Sequence, residues 1–198
     1  EAAWGNEDYG NTAGEGTVVA VIDTGVDYNH EDLQDNIWTN SAEVSGQKGT
    51  DDDNNGYVDD VHGINLIDPN ETPMDDHGHG THVAGIIAME NNNVGGVGIA
   101  YKSKIMPIKA GGSDGTFNST DIAKGIEYAY KNGADVINMS FGSSAHSALI
   151  ENALQDAFNS CVLVAAAGNY RIPTADCPLG GQNTYPASYS YVIGVMAY

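Results

Sequence analysis

Positive charge is scarce in this chain: 7 Lys and Arg stand against 27 Asp and Glu among 198 residues, a formal net charge of −20. A surface of that sign repels phosphate backbones and anionic headgroups, so no nucleic-acid partner and no membrane partner is expected. It favours divalent cations and an extracellular or saline setting. Long apolar runs are also missing, since no stretch approaches the roughly 20 residues of a membrane span. The opening Glu1-Ala2-Ala3-Trp4 carries neither the basic segment nor the apolar core of a secretory signal. Cysteine is limited to Cys161 and Cys177, which permits one bridge or two thiols. Cys161 heads an apolar stretch and reads as a buried thiol. No internal repeat or interdomain linker interrupts the chain. Its length suffices for one domain burying roughly two thirds or more of its unfolded surface.

What is present begins with Asp76-His77-Gly78-His79-Gly80-Thr81-His82-Val83-Ala84-Gly85-Ile86, which crowds three histidines into six positions. Val83, Ala84, Ile86, Ile87 and Ala88 read as a buried helix, and the glycines before them let the chain turn and approach closely. The histidines therefore sit where a loop becomes a helix. One reading is a metal site, although a structural zinc site favours four ligands, often with Cys. The other is a general base: one imidazole held in a single tautomer.

A second stretch, Val18-Val19-Ala20-Val21-Ile22-Asp23-Thr24-Gly25-Val26-Asp27, opens with an apolar run suited to a strand buried on both faces. It ends on Asp23, and the carboxyl ends of such strands are where open α/β sheets collect ligands. A third stretch, Asp51 to Asp60, reads D-x-D-x-N-G-Y-x-D. Hard oxygen donors at alternate positions, Asp51, Asp53, Asn55, Tyr57 and Asp59, with a glycine at the sixth, are what a calcium loop requires. His62 stands at the twelfth position in place of the usual Glu, so Asp60 is expected to close the shell.

Strands are expected at 17–23, 61–67, 105–109, 135–139, 162–166 and 191–196, and 41–60 reads as a loop insertion. Helices are expected at 79–88, at 119–131 with Ile122, Ala123, Ile126 and Tyr130 inward, and from Ser143 or Ser144 to about Phe158. In the last of these, Ala148, Leu149, Leu154, Ala157 and Phe158 are expected inward. Strands alternating with helices mean an α/β fold, a parallel sheet with helices on both faces in three layers.

Together these stretches resemble the subtilisin-like serine proteases. VIDTGVDYNHEDL is similar to the family's Asp motif and HGTHVAGI to its His motif. Ala165-Ala166-Ala167-Gly168-Asn169 is similar to its oxyanion-hole segment, and Tyr185-Pro186-Ala187-Ser188-Tyr189 and Tyr191-Val192-Ile193-Gly194-Val195 continue the likeness. The resemblance implies that residues 1–198 are a single subtilisin-like peptidase domain, incomplete at its start and lacking its serine-bearing end. It implies Asp23, His79 and Asn169 as catalytic residues, with His82 in packing and His77 without a role. It implies substrate contacts along Gly112–Gly115, and a side-chain pocket between Ser140, Phe141 and Gly142 and Ala166, Ala167 and Gly168. It also implies a calcium site from the side chains of Asp32 and Asn92 and the backbone oxygens of Glu90, Val94 and Gly96. With the acidic loop, that makes one or two Ca²⁺ sites.

The family's nucleophile lies in a G-T-S-M-A segment, and no such segment occurs in this sequence. Three readings follow. The chain is most of a secreted, calcium-stabilised serine endopeptidase acting on protein or peptide substrates, its nucleophilic serine lying outside the 198 residues or on a second polypeptide. Alternatively it is a non-catalytic calcium-binding fragment or pseudo-protease module. In the third, the histidines bind zinc in a metallohydrolase.

Overall fold

A computed structural model of the chain describes residues 12–169 and 184–196. Its centre is β1, Val18–Asp23. Ala20 and Ile22 enter one apolar cluster while Val19 and Val21 enter another on the opposite face. Both faces are covered, which is why the strand is apolar at every position up to Asp23 rather than at alternate ones.

After a 3-10 turn at Gln34–Asn36 come helix α1 (Ser41–Ser45), strand β2 (Ile64–Asn65) and helix α2 (His79–Ala88). Strand β3 (Lys104–Lys109), helix α3 (Ser119–Lys131), strand β4 (Val136–Met139), helix α4 (Ala148–Ala157), and strands β5 (Val162–Ala166) and β6 (Ile193–Val195) follow. The sheet runs β2-β3-β1-β4-β5-β6, and every pairing is parallel. Ile122, Ile126 and Ala129 of α3 and Ile150, Leu154 and Ala157 of α4 cover one face with Ala20, Ile22 and Ile137. Ala84 and Ala88 of α2 cover the other with Val19, Val21 and Ile105. This is the three-layer α/β/α arrangement.

Local chemistry sets the helix ends. Asn118 caps α3 by accepting the Asp121 N–H at 2.9 Å, and at the far end Asn132 Nδ2 donates to Tyr128 O at 2.9 Å. The expected start of α4 at Ser143 or Ser144 is corrected to Ala148, capped by Ser147. Ser143 is taken out of the helix because its backbone exchanges hydrogen bonds with Tyr185 at 2.9 and 2.8 Å. Leu154 and Ala157 pack inward as expected, whereas Ala148, Leu149 and Phe158 are exposed and Ile150 is buried in their place.

Other expectations change as well. The segment 61–67 pairs only at Ile64–Asn65, and the last strand is Ile193–Val195 rather than 191–196. The 41–60 insertion contains α1, whose Asn40 cap accepts the Ala42 N–H. Ile86, expected inside, is 56% exposed. Helix α2 meets the sheet through Gly80, Ala84 and Ala88, spaced by four, and Ile86 projects from the far side. Cys161 is a buried free thiol whose Sγ lies 2.9 Å from Ala134 O, and burial pushes its pKa up. Cys177 lies outside the described residues.

Candidate active site

The site forms where β1 ends and α2 begins. Gly78, with φ 98°, precedes α2 in a left-handed conformation that a side chain would strain. Gly80 lets the helix touch the strand end: a Cβ there would stand 2.0 Å from Gly25 O and 3.0 Å from Asp23 Cβ. This close approach sets His79 Nδ1 2.7 Å from Asp23 Oδ1. Asp23 is fully buried while the His79 side chain is 44% exposed. The pair is thus an imidazole anchored at one nitrogen and open at the other end of its ring. Asp23 Oδ1 also accepts the Thr24 N–H at 2.7 Å. Its Oδ2 is buried without a donor among the described residues, at a cost of about 1–3 kcal/mol. An unpaired buried polar atom calls for a specific explanation, and a catalytic role is one.

Two neighbouring aspartates brace this junction. Asp75 accepts from Thr24 Oγ1, from the N–H groups of His77, Gly78 and Thr81, and from Thr81 Oγ1. Burial alone would raise its pKa, but these hydrogen bonds outweigh it and lower the pKa to about 2. Asp76 Oδ1 meets the Lys109 ammonium at 2.6 Å. Lys109 is 3% exposed, and it also donates to Thr24 O at 2.6 Å and Gly111 O at 3.0 Å. A buried cation therefore ties the Asp23 strand end to the start of the 111–117 loop.

His79 opens on a cleft of about 650 Å³ whose lining includes Gly115, Ser140, Phe141 and Gly142. Gly112, Ala166, Ala167, Gly168 and Asn169 do not line it. Ala166 is nonetheless adjacent: a Cβ on Gly142 would come 3.5 Å from Ala166 O. Ala167 is held by donating its N–H to Val195 O at 2.8 Å, and Asn169 is exposed just beyond β5. The Phe117 and Phe141 rings, both lining the cleft, pack with centroids 4.7 Å apart, and His146, Tyr185 and Tyr189 also line it.

The three histidines separate. His77, given no role from sequence, lines the cleft with its ring 6.3 Å from that of His79. His82, expected to pack, is exposed. The turn before α2 and the phase of the helix decide which ring faces the cleft, and spacing in the sequence carries no such signal. Among the described residues they form no metal-binding group with other His, Cys, Asp or Glu; the one such group is Glu43, Asp53 and Asp60. Nor does any hydroxyl or thiol among the described residues hydrogen-bond to His79.

The two expected calcium loops differ in how well their oxygens are satisfied. Asp32 is 2% exposed, and its Oδ1 has no donor among the described residues. Its Oδ2 accepts the Gly96 N–H at 3.3 Å, and the Glu90 N–H reaches Asp32 O at 3.0 Å, so the 90–96 segment closes over it. Within that segment Asn92 Oδ1 accepts the Val94 N–H at 2.9 Å. A buried carboxylate oxygen lacking a donor fits a hard cation.

In the acidic loop, Glu43, Asp53 and Asp60 bring carboxylate oxygens within 4.8 Å of one another, and Glu43 was not singled out from sequence. Their oxygens are already engaged. Glu43 accepts the Asp52 and Asp59 N–H groups, and Asn40 and Asn55 amides bind Asp53 and Asp60. The Tyr128 hydroxyl donates to Asp60, and burial followed by that contact pushes the tyrosine pKa up. Asp51 accepts the Asn55 and Gly56 N–H groups, Asn55 Oδ1 the Tyr57 N–H, and Asp59 the Gly49 N–H.

A sequence model described as the Subtilase family matches residues 14–198. "Subtilisin-like protease 1" of Plasmodium falciparum (isolate 3D7) is 41% identical over 164 residues, covering 82% of this chain and 24% of its own length. "Thermophilic serine proteinase" of Bacillus sp. (strain AK1) is 39% identical over 185 residues, covering 92% of this chain and 38% of its own length. "Subtilisin Savinase" of Lederbergia lenta is 36% identical over 185 residues, covering 93% of this chain and 56% of its own length. The chain therefore spans from about a quarter to a little over half the length of these relatives.

Proposed function

The chain belongs to the subtilase family, and on that premise we propose that it carries the acid–base part of a serine endopeptidase. The observation that supports this most is the 2.7 Å contact between buried Asp23 and His79, with the imidazole open to the cleft. In this reading Asp23 holds the Nδ1–H tautomer and stabilises the imidazolium that forms. His79 Nε2 takes the proton from a serine hydroxyl as that oxygen attacks the scissile carbonyl. The same nitrogen then returns the proton to the leaving amine, and water repeats the cycle on the acyl-enzyme. Asn169 donates its side-chain amide to the oxyanion. The serine comes from outside the 198 residues, from a further part of the protein or a second polypeptide.

Protein or peptide substrates lie along Gly112–Gly115, with a side chain between Ser140–Gly142 and Ala166–Gly168. Asp32 and Asn92, with backbone oxygens of Glu90, Val94 and Gly96, would hold Ca²⁺, which would neutralise the Asp32 carboxylate and tie the loop to the Asp32 turn. A second ion in the 51–60 loop requires the Asn40 and Asn55 amides to withdraw from Asp53 and Asp60. The net charge of −20 suits a secreted protein working in calcium-containing surroundings.

The test is hydrolysis of a denatured protein substrate by the native protein. The reading predicts that an organic sulfonyl fluoride abolishes it and that a zinc chelator leaves it intact. Chelator-sensitive, sulfonyl-fluoride-resistant hydrolysis would point instead to metal chemistry.

A further inference from the structure

Asp75 makes more hydrogen bonds than a half-exposed surface carboxylate needs, and they converge on the catalytic junction. Its Oδ1 accepts from Thr24 Oγ1 at 2.9 Å and from the N–H groups of His77 at 3.0 Å and Gly78 at 2.9 Å. Its Oδ2 accepts from Thr81 N–H at 2.9 Å and Thr81 Oγ1 at 2.6 Å. These donors lie on either side of His79 and immediately after Asp23.

The Thr24 hydroxyl joins the two halves. Thr24 is 1% exposed; its Oγ1 accepts the Gly80 N–H at 3.0 Å while donating to Asp75. Its own N–H donates to Asp23 Oδ1, and its carbonyl is gripped by Lys109. The peptide after Asp23 and the peptide after His79 are thus joined through one hydroxyl whose orientation Asp75 sets. Helix α2 has no side-chain cap at Gly78; within its first turn the Thr81 N–H donates to Asp75 and the Gly80 N–H to Thr24 Oγ1.

We propose that Asp75 is a positioning residue of the Asp23–His79 pair, fixing the spacing between the end of β1 and the start of α2 through the Thr24 hydroxyl and the Gly78–Thr81 turn. This rests on the reading of His79 as general base. A cap that merely stabilised the helix would affect folding. A positioning residue affects the rate of the chemical step, because a displacement of about 1 Å in a reacting group costs about 100-fold.

The test compares Asp75→Asn, Thr24→Val and Thr24→Ser in the native protein, using steady-state hydrolysis of one peptide and the NMR signal of the His79 Nδ1–H. Asp75→Asn and Thr24→Val should each lower kcat by about 10- to 100-fold with KM within about threefold. Thr24→Ser, which keeps the hydroxyl, should recover most of what Thr24→Val loses. The Nδ1–H resonance should be sharp in the wild type and in Thr24→Ser, and broadened or lost in the other two.

Unchanged kcat and an unchanged resonance in folded Asp75→Asn would overturn the proposal, as would a Thr24→Val variant indistinguishable from wild type. If Asp75→Asn does not fold, the nearly isosteric Thr24→Val decides. A wild type that hydrolyses nothing would sink the catalytic reading. The resonance would still decide whether Asp75 positions the pair.

Discussion

Asp23 and His79, separated by 56 positions in sequence, meet through one carboxylate oxygen and one ring nitrogen at 2.7 Å. The other oxygen of Asp23 is buried without a donor among the described residues. The hydrogen bonds to this carboxylate, from the imidazole and the Thr24 N–H, therefore both fall on Oδ1.

Asp23→Asn preserves shape and removes that charge. The amide presents an N–H where the imidazole Nδ1–H needs an acceptor, which favours the wrong tautomer. We expect kcat to fall by about 10⁴, the scale seen for this change in a Ser-His-Asp peptidase, with KM nearly unchanged. A loss under tenfold in steady-state peptide hydrolysis would mean that Asp23 does not set the tautomer.

Gly80→Ala places a methyl group 2.0 Å from the Gly25 carbonyl, a backbone atom that cannot rotate away. The helix start must move off the strand end, destabilising the fold by about 1–3 kcal/mol. Urea unfolding should register that loss, and hydrolysis should fall because His79 moves with the helix. Wild-type stability would contradict the packing described here.

Calcium removal should destabilise the protein through Asp32. At free calcium of about 100 times Kd, binding contributes about 2.7 kcal/mol, or roughly 5–10 °C in Tm. Differential scanning calorimetry should show that shift on adding a calcium chelator and find it missing in Asp32→Asn. The same Tm with and without the chelator would refute the site.

The acid limb of stability has a sign set by Asp75. Its folded pKa of about 2 lies below the ordinary 3.8, so its contribution is complete at pH values well above 3.8 and fades as pH falls toward 2. With allowance for solvent screening at this half-exposed position, the contribution is about 1 kcal/mol. Urea midpoints of the wild type should therefore drop more steeply over that window than those of Asp75→Asn. Parallel curves would count against the hydrogen-bonded carboxylate.

Legibility in the sequence followed from how local each signal is. Helix α3 was expected at 119–131 and spans Ser119–Lys131, because an Asn cap and an apolar stripe act within the segment itself. Strand β1 was equally plain, since an apolar run ending on Asp23 has few other homes. The start of α4 was not, because Ser143 is held by a backbone partner 42 residues away, Tyr185. Glu43 was missed because its function as an acceptor for Asp52 and Asp59 depends on the fold of a loop. Asp75 was missed for a similar reason: its partners Thr24 and Thr81 are brought together only by the β1–α2 junction. His77 and His82 exchanged importance because the turn before α2, not their spacing, decides which ring faces the cleft.

The most direct test of the central claim is covalent. The native protein is treated with a fluorophosphonate, and the labelled residue is located by peptide mass spectrometry. The account predicts one labelled serine outside these 198 residues and no labelling when His79 is changed to Ala. A label on a serine within the chain, or labelling that survives the loss of His79, would contradict it.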